Sequence, residues 1–68
     1  MKNKILELVT DAASTNVAED STFLSLGLES LEFLELIRDV EQLTGKKILD
    51  EQIVAMQTVG DLCAAVGL

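Results

Sequence analysis

Apolar residues recur at spacings of three and four from the start of the chain. Ile5, Leu6, Leu8, Val9, Ala12 and Ala13 share one side of a helical period, which predicts an amphipathic helix from Asn3 to about Ala13 or Ser14. From Thr15 to Glu29 the period fails. Ser, Thr, Asn, Asp and Gly are mixed there with isolated apolar residues, which predicts a long loop pinned by buried Val17, Phe23, Leu24, Leu26 and Leu28.

Helical spacing returns at Ser30 and holds to Thr44, where Gly45 supplies a left-handed C-terminal stop. With residues about 100° apart, Phe33, Leu36, Ile37, Val40 and Leu43 fall on one arc that reads as the core face. A short third helix is expected after Asp50 as N-cap, contributing Ile53, Val54 and Met56. The last helix is expected to start at Thr58 and carry Val59, Leu62, Cys63 and Val66. There Thr58-Val59-Gly60-Asp61 resembles a capping box.

No segment alternates polar and apolar residues long enough to predict a strand, and there is no repeat or linker. The expected fold is all-α, one domain over residues 1–68. It is a small four-helix, up-and-down bundle with a long first loop and antiparallel neighbours among its last three elements.

Composition narrows the chemistry. The 68 residues include one cysteine, Cys63, and no histidine, which argues against disulfide staples, Cys/His zinc sites and Cys-His or Ser-His-Asp catalysis. Cys63 reads as a small core hydrophobe. Met1 to Leu8 lack the apolar stretch and cleavage site of a signal peptide, and no apolar run approaches the ~18 residues that span a bilayer. A soluble, cytoplasmic protein is the expectation. Twelve acidic against five basic residues give a net charge of −7, which disfavours nucleic acid and anionic lipid and favours basic protein partners.

Two features of the second helix stand out. Glu32, Glu35 and Asp39 form an acidic stripe with Glu29 just ahead of it, which suits either a solvated face or a docking face. Leu31 and Leu34 fall beside the core arc, positioned either to fill space beneath the long loop or to contact a partner. Ser30, in Gly27-Leu28-Glu29-Ser30-Leu31-Glu32, places a primary hydroxyl at the expected helix start.

Taken together, Asp20-Ser21-Thr22-Phe23, Leu26-Gly27-Leu28-Glu29-Ser30-Leu31-Glu32, Leu34-Glu35-Leu36 and Thr58-Val59-Gly60-Asp61-Leu62 resemble acyl carrier proteins over nearly the whole chain. The resemblance implies a carrier domain of no catalytic activity. Its Ser30 would receive 4′-phosphopantetheine from coenzyme A through a separate phosphopantetheinyl transferase, and the arm's thiol would hold acyl groups as thioesters. It also implies docking roles for Glu29, Leu31, Glu32, Leu34, Glu35 and Arg38 against acyl-loading, condensing and acyl-transfer enzymes with basic patches. The sequence departs from the family pattern in having Glu29 before the serine where aspartate is usual. It also has Arg38 where an apolar contact residue is common, and Leu43 and Thr44 where an aromatic often ends the helix.

A monomeric, stand-alone carrier is the leading expectation, since the chain opens with Met1 and closes just after Gly67 without a linker. Its pathway would be fatty-acid, polyketide or related biosynthesis. An aminoacyl or peptidyl carrier, and an unmodified acidic helical module with Ser30 merely as N-cap, are the alternatives. An enzyme using Glu29, Glu32 and Glu35 as acid and base would need a deep pocket, which a bundle this small rarely encloses.

Overall fold

A computed structural model describes residues 1–28 and 31–68. Its described residues form four helices, α1 (Lys2–Ala13), α2 (Leu31–Thr44), α3 (Asp50–Ala55) and α4 (Val59–Ala65), and no strand. The expected all-α architecture is present.

The apolar period of α1 turns Ile5 and Val9 fully inward, with Leu6, Leu8 and Ala13 packed at the margin of the core. The helix ends where Ser14 turns left-handed, φ 58°, and donates its backbone N–H to the Thr10 carbonyl at 2.8 Å. On α2, Leu36, Ile37 and Val40 are buried, while Phe33 and Leu43 are partly buried, so the arc expected of the core is the core face. Gly45, φ 71°, closes that helix by donating to the Glu41 carbonyl at 2.8 Å, a single left-handed cap that only glycine adopts without strain.

The long loop is a wound structure. Leu28 N–H donates to the Phe23 carbonyl at 3.0 Å and Gly27 N–H to the Leu24 carbonyl at 3.2 Å, a Schellman closure around Gly27 at φ 72°. The closure brings together the buried side chains of Phe23 and Leu28, and the Phe23 ring also lies 4.9 Å from that of Phe33. Leu24 departs from expectation: it is 76% exposed, because its place in the turn points it outward.

Hydrogen bonds distant in sequence fasten this loop to the junction before α4. Phe23 N–H donates to the Gln57 carbonyl at 3.0 Å, Val59 N–H to Ser21 at 3.0 Å and Gly60 N–H to Glu19 at 2.7 Å, around an antiparallel bridge between Thr22 and Thr58. A Cβ on residue 60 would sit 3.2 Å from the Glu19 carbonyl oxygen, so glycine suits this close approach. An ion pair, Lys2 to Glu19 at 3.0 Å, ties the same loop to α1.

Helix α1 packs against both α2 and α4, placing the first and last helices side by side. Val59, Leu62 and Cys63 of α4 are buried against this assembly. By contrast, α3 buries none of its own residues. Its N-cap is Leu49 and not Asp50, which is the first helical residue. Gln52 Oε1 accepts from Leu49 N–H at 2.9 Å, and a leucine side chain has no acceptor to return the bond. Of the three apolar residues expected to contribute here, Ile53 packs at the margin of the core and Met56, just past the helix, is buried, but Val54 is 85% exposed; Ile48, ahead of the helix, is buried as well.

Candidate functional site

Positions 29 and 30 lie outside the described residues, so the sequence-based roles of Glu29 and Ser30 rest on the chain on either side. Upstream, Leu28 is buried and held by the Gly27 turn. Downstream, α2 begins at Leu31 with its core face fixed by Phe33, Leu36 and Ile37. A buried anchor and the first turn of a packed helix thus bracket these two positions.

The first amides of α2 have no intrahelical acceptor, and the helix dipole adds partial positive charge at that end. Both favour an anion such as a phosphodiester there. Leu31 is 67% exposed and Glu32 is exposed, so the entrance to α2 faces solvent, as a long attached arm requires. These surroundings fit a phosphopantetheine group linked just ahead of Leu31.

Leu34 is 50% exposed, and together with Leu31 it forms the apolar part of the outer face of α2. That exposure rules out the reading in which the two leucines fill space beneath the loop. Glu35, Arg38 and Asp39 are also exposed. The structure therefore brings Leu31, Glu32, Leu34, Glu35 and Arg38 onto the accessible surface of one helix. Glu32, Glu35 and Asp39 also border a concavity of about 410 Å³ whose opposite wall carries Leu8 and Asp11 of α1. The α1 acids Glu7 and Asp11 were not singled out from the sequence, although their spacing of four puts them on one face of that helix.

Elsewhere the polar chemistry is structural. Thr58 Oγ1 accepts from Asp61 N–H at 3.1 Å, and Asp61 Oδ2 accepts from the N–H groups of Gln57 and Thr58, each at 3.0 Å, so the expected capping box is formed. Those bonds, from Gln57 first and then Thr58, hold the Asp61 carboxyl below the usual aspartate range. Burial pushes the Cys63 thiol above its ordinary value, consistent with a core role. Among the described residues no group of three His, Cys, Asp or Glu side chains is arranged to hold a metal ion. No helix among them is long and apolar enough to cross a membrane.

Comparison with known proteins agrees with this geometry. The profile of the phosphopantetheine attachment site family matches residues 3–66. An acyl carrier protein of Clostridium perfringens (strain SM101 / Type A) is 38% identical over 66 residues, spanning 91% of this chain and 87% of that protein. One from Rhodococcus erythropolis is 34% identical over 62 residues, 90% of this chain and 68% of its own length. The meromycolate extension acyl carrier protein of Mycolicibacterium aurum is 34% identical over 62 residues, covering 90% of this chain and 64% of that protein. With the phosphopantetheine profile spanning nearly all of the chain and the helices in place to present it, the chain belongs to the acyl carrier protein family.

Proposed function

We propose that residues 1–68 form a single acyl carrier domain with 4′-phosphopantetheine attached to the Oγ of Ser30. The observation that carries the reading is the family match over residues 3–66 with Ser30 directly ahead of α2, between the Leu28 anchor and Leu31. When bound, the group supplies a thiol on a flexible arm that holds acyl intermediates as thioesters. At Ser30 a phosphorus–oxygen bond forms as the pyrophosphate of coenzyme A opens. Adenosine 3′,5′-bisphosphate leaves, and the hydroxyl proton passes to the transferase.

The chain's own residues contribute place and address. The Gly27 turn and buried Leu28 fix where the chain enters α2, and the first turn of that helix favours the phosphodiester charge. Glu29, Leu31, Glu32, Leu34, Glu35 and Arg38 form the docking face for loading, condensing and acyl-transfer enzymes. Carboxylates steer basic partners, and the exposed leucines give contact area. The domain catalyses nothing itself, and it acts as a monomer in the cytoplasm.

Fatty-acid, polyketide or related biosynthesis is the setting this reading supports. The meromycolate extension carrier among its relatives favours acyl over aminoacyl cargo. Intact-mass measurement after incubation with coenzyme A and a broad-specificity transferase tests the attachment. One added phosphopantetheinyl group on the wild type and none on Ser30→Ala is the expected result. An unmodified wild type would leave only an acidic helical interaction module.

A further inference from the structure

The docking surface expected from the sequence lies on α2 alone, but the structure extends the acidic flank of that helix onto α1. Two concavities, of about 410 Å³ and about 880 Å³, share Leu8, Asp11 and Asp39 and so run into one another along the α1–α2 seam. The trough they form has Leu8, Leu36 and Leu43 in its floor. Glu7 and Asp11 stand on the α1 rim, with Glu32, Glu35 and Asp39 on the α2 rim.

Lys4 is the one basic side chain lining it. Among the described residues, none of the five rim carboxylates is in an ion pair, the single pair being Lys2 with Glu19. Like charges facing each other across an apolar floor repel one another, and a cationic occupant would relieve that repulsion.

We propose that the α1–α2 trough is a second docking surface that receives a cationic amphipathic helix of a partner protein. Apolar side chains of that helix meet Leu8 and Leu43, and its lysines or arginines reach both carboxylate rims. An inorganic cation alone would leave the leucine floor against water, and an anionic or purely apolar segment would meet the rims unfavourably. The 12 residues of α1 rise about 18 Å at about 1.5 Å each, enough to flank roughly three turns of a docked helix. The proposal deepens the docking part of the function given above and rests on it for the roles of Glu32 and Glu35. It does not depend on Ser30.

The test titrates the full-length, isotope-labelled chain with a synthetic peptide of about four helical turns, built from leucine on one face and lysine on the other. Amide shifts should centre on Leu8, Asp11, Asp39 and Leu43. Glu7→Lys combined with Asp11→Lys should raise Kd about five- to tenfold at low salt. Asp20→Lys combined with Glu51→Lys makes the same change in net charge away from the trough and should change Kd by less than about twofold. Shifts centred on Leu31 and Leu34, or an equal loss of affinity in the Asp20/Glu51 variant, would overturn the proposal, the second by assigning the binding to net charge. Phosphopantetheine loading of the same wild-type sample is read separately by mass, so a failure there strikes the carrier role and leaves the binding result intact.

Discussion

The two short helices at the C-terminal end are held in opposite ways. Helix α4, seven residues, buries Val59, Leu62 and Cys63, begins with a complete capping box, and accepts the long loop through backbone hydrogen bonds at Val59 and Gly60. Helix α3, six residues, has no fully buried residue, packs only Ile53 at the margin of the core, leaves Val54 in solvent and starts at a residue whose side chain cannot cap. Neither length sustains a helix in water unaided, so tertiary contact decides the outcome. The difference marks α4 as part of the folding core and α3 as a lightly held span between Ile48 and Met56.

Leu62→Ala should show the contrast at its strongest. Leu62 is fully buried, and the truncation should cost about 2–4 kcal/mol. A single core this small supplies roughly 3–5 kcal/mol, so circular dichroism should find the variant largely unfolded near physiological temperature. Retention of the wild-type melting midpoint would remove α4 from the core.

Removing the cap is the next largest change. Thr58→Ala should cost about 1 kcal/mol in chemical denaturation. Asp61 contributes on the other side of the box, and its folded carboxyl titrates below the ordinary value. Its stabilisation is therefore full above the ordinary aspartate range near pH 4 and drains away as pH falls through the lowered folded value. The stability gap between wild type and Asp61→Asn should close as acid is added. A gap constant from pH 7 to pH 2 would mean that the carboxylate does not cap.

For α3 the expected effect is small. Val54→Ala should change stability by less than about 0.5 kcal/mol, and backbone amides of α3 should exchange with solvent faster than those of α4. Equal protection of the two helices would erase the distinction between them. On the proposed docking face, Glu32→Lys or Glu35→Lys should leave the melting temperature nearly unchanged while slowing acyl transfer to basic partner enzymes. Added salt should slow the wild type in the same direction.

What the sequence made legible was local. Gly45 as a stop, Thr58 and Asp61 as a box, and the inward arc of α2 each depend on residues within about two turns of one another, and each is where it was expected. Leu24, Val54 and the N-cap of α3 were misplaced for a common reason. In a wound loop or a helix of six residues there are too few positions for periodicity to choose a side. The Thr22–Thr58 bridge and the meeting of Asp11 with Glu32 and Glu35 join segments distant in the chain, and no local pattern encodes them. Ser30 is the reverse case: the role proposed for it rests on its neighbours in sequence, and the structure contributes only the buried Leu28 anchor before it and the packed helix after it.

Cys63 has a consequence for cargo handling. A carrier that keeps activated acyl groups on a sulfur is exposed to self-acylation, because any accessible thiolate on its own surface would accept the acyl group in a nearly thermoneutral exchange. Here the lone native sulfhydryl is sealed among the side chains of the bundle, and its ionisation is displaced upward by burial. It is buried and harder to ionise than a free cysteine, so under the carrier role proposed above it is a poor acceptor for an acyl group held on the arm.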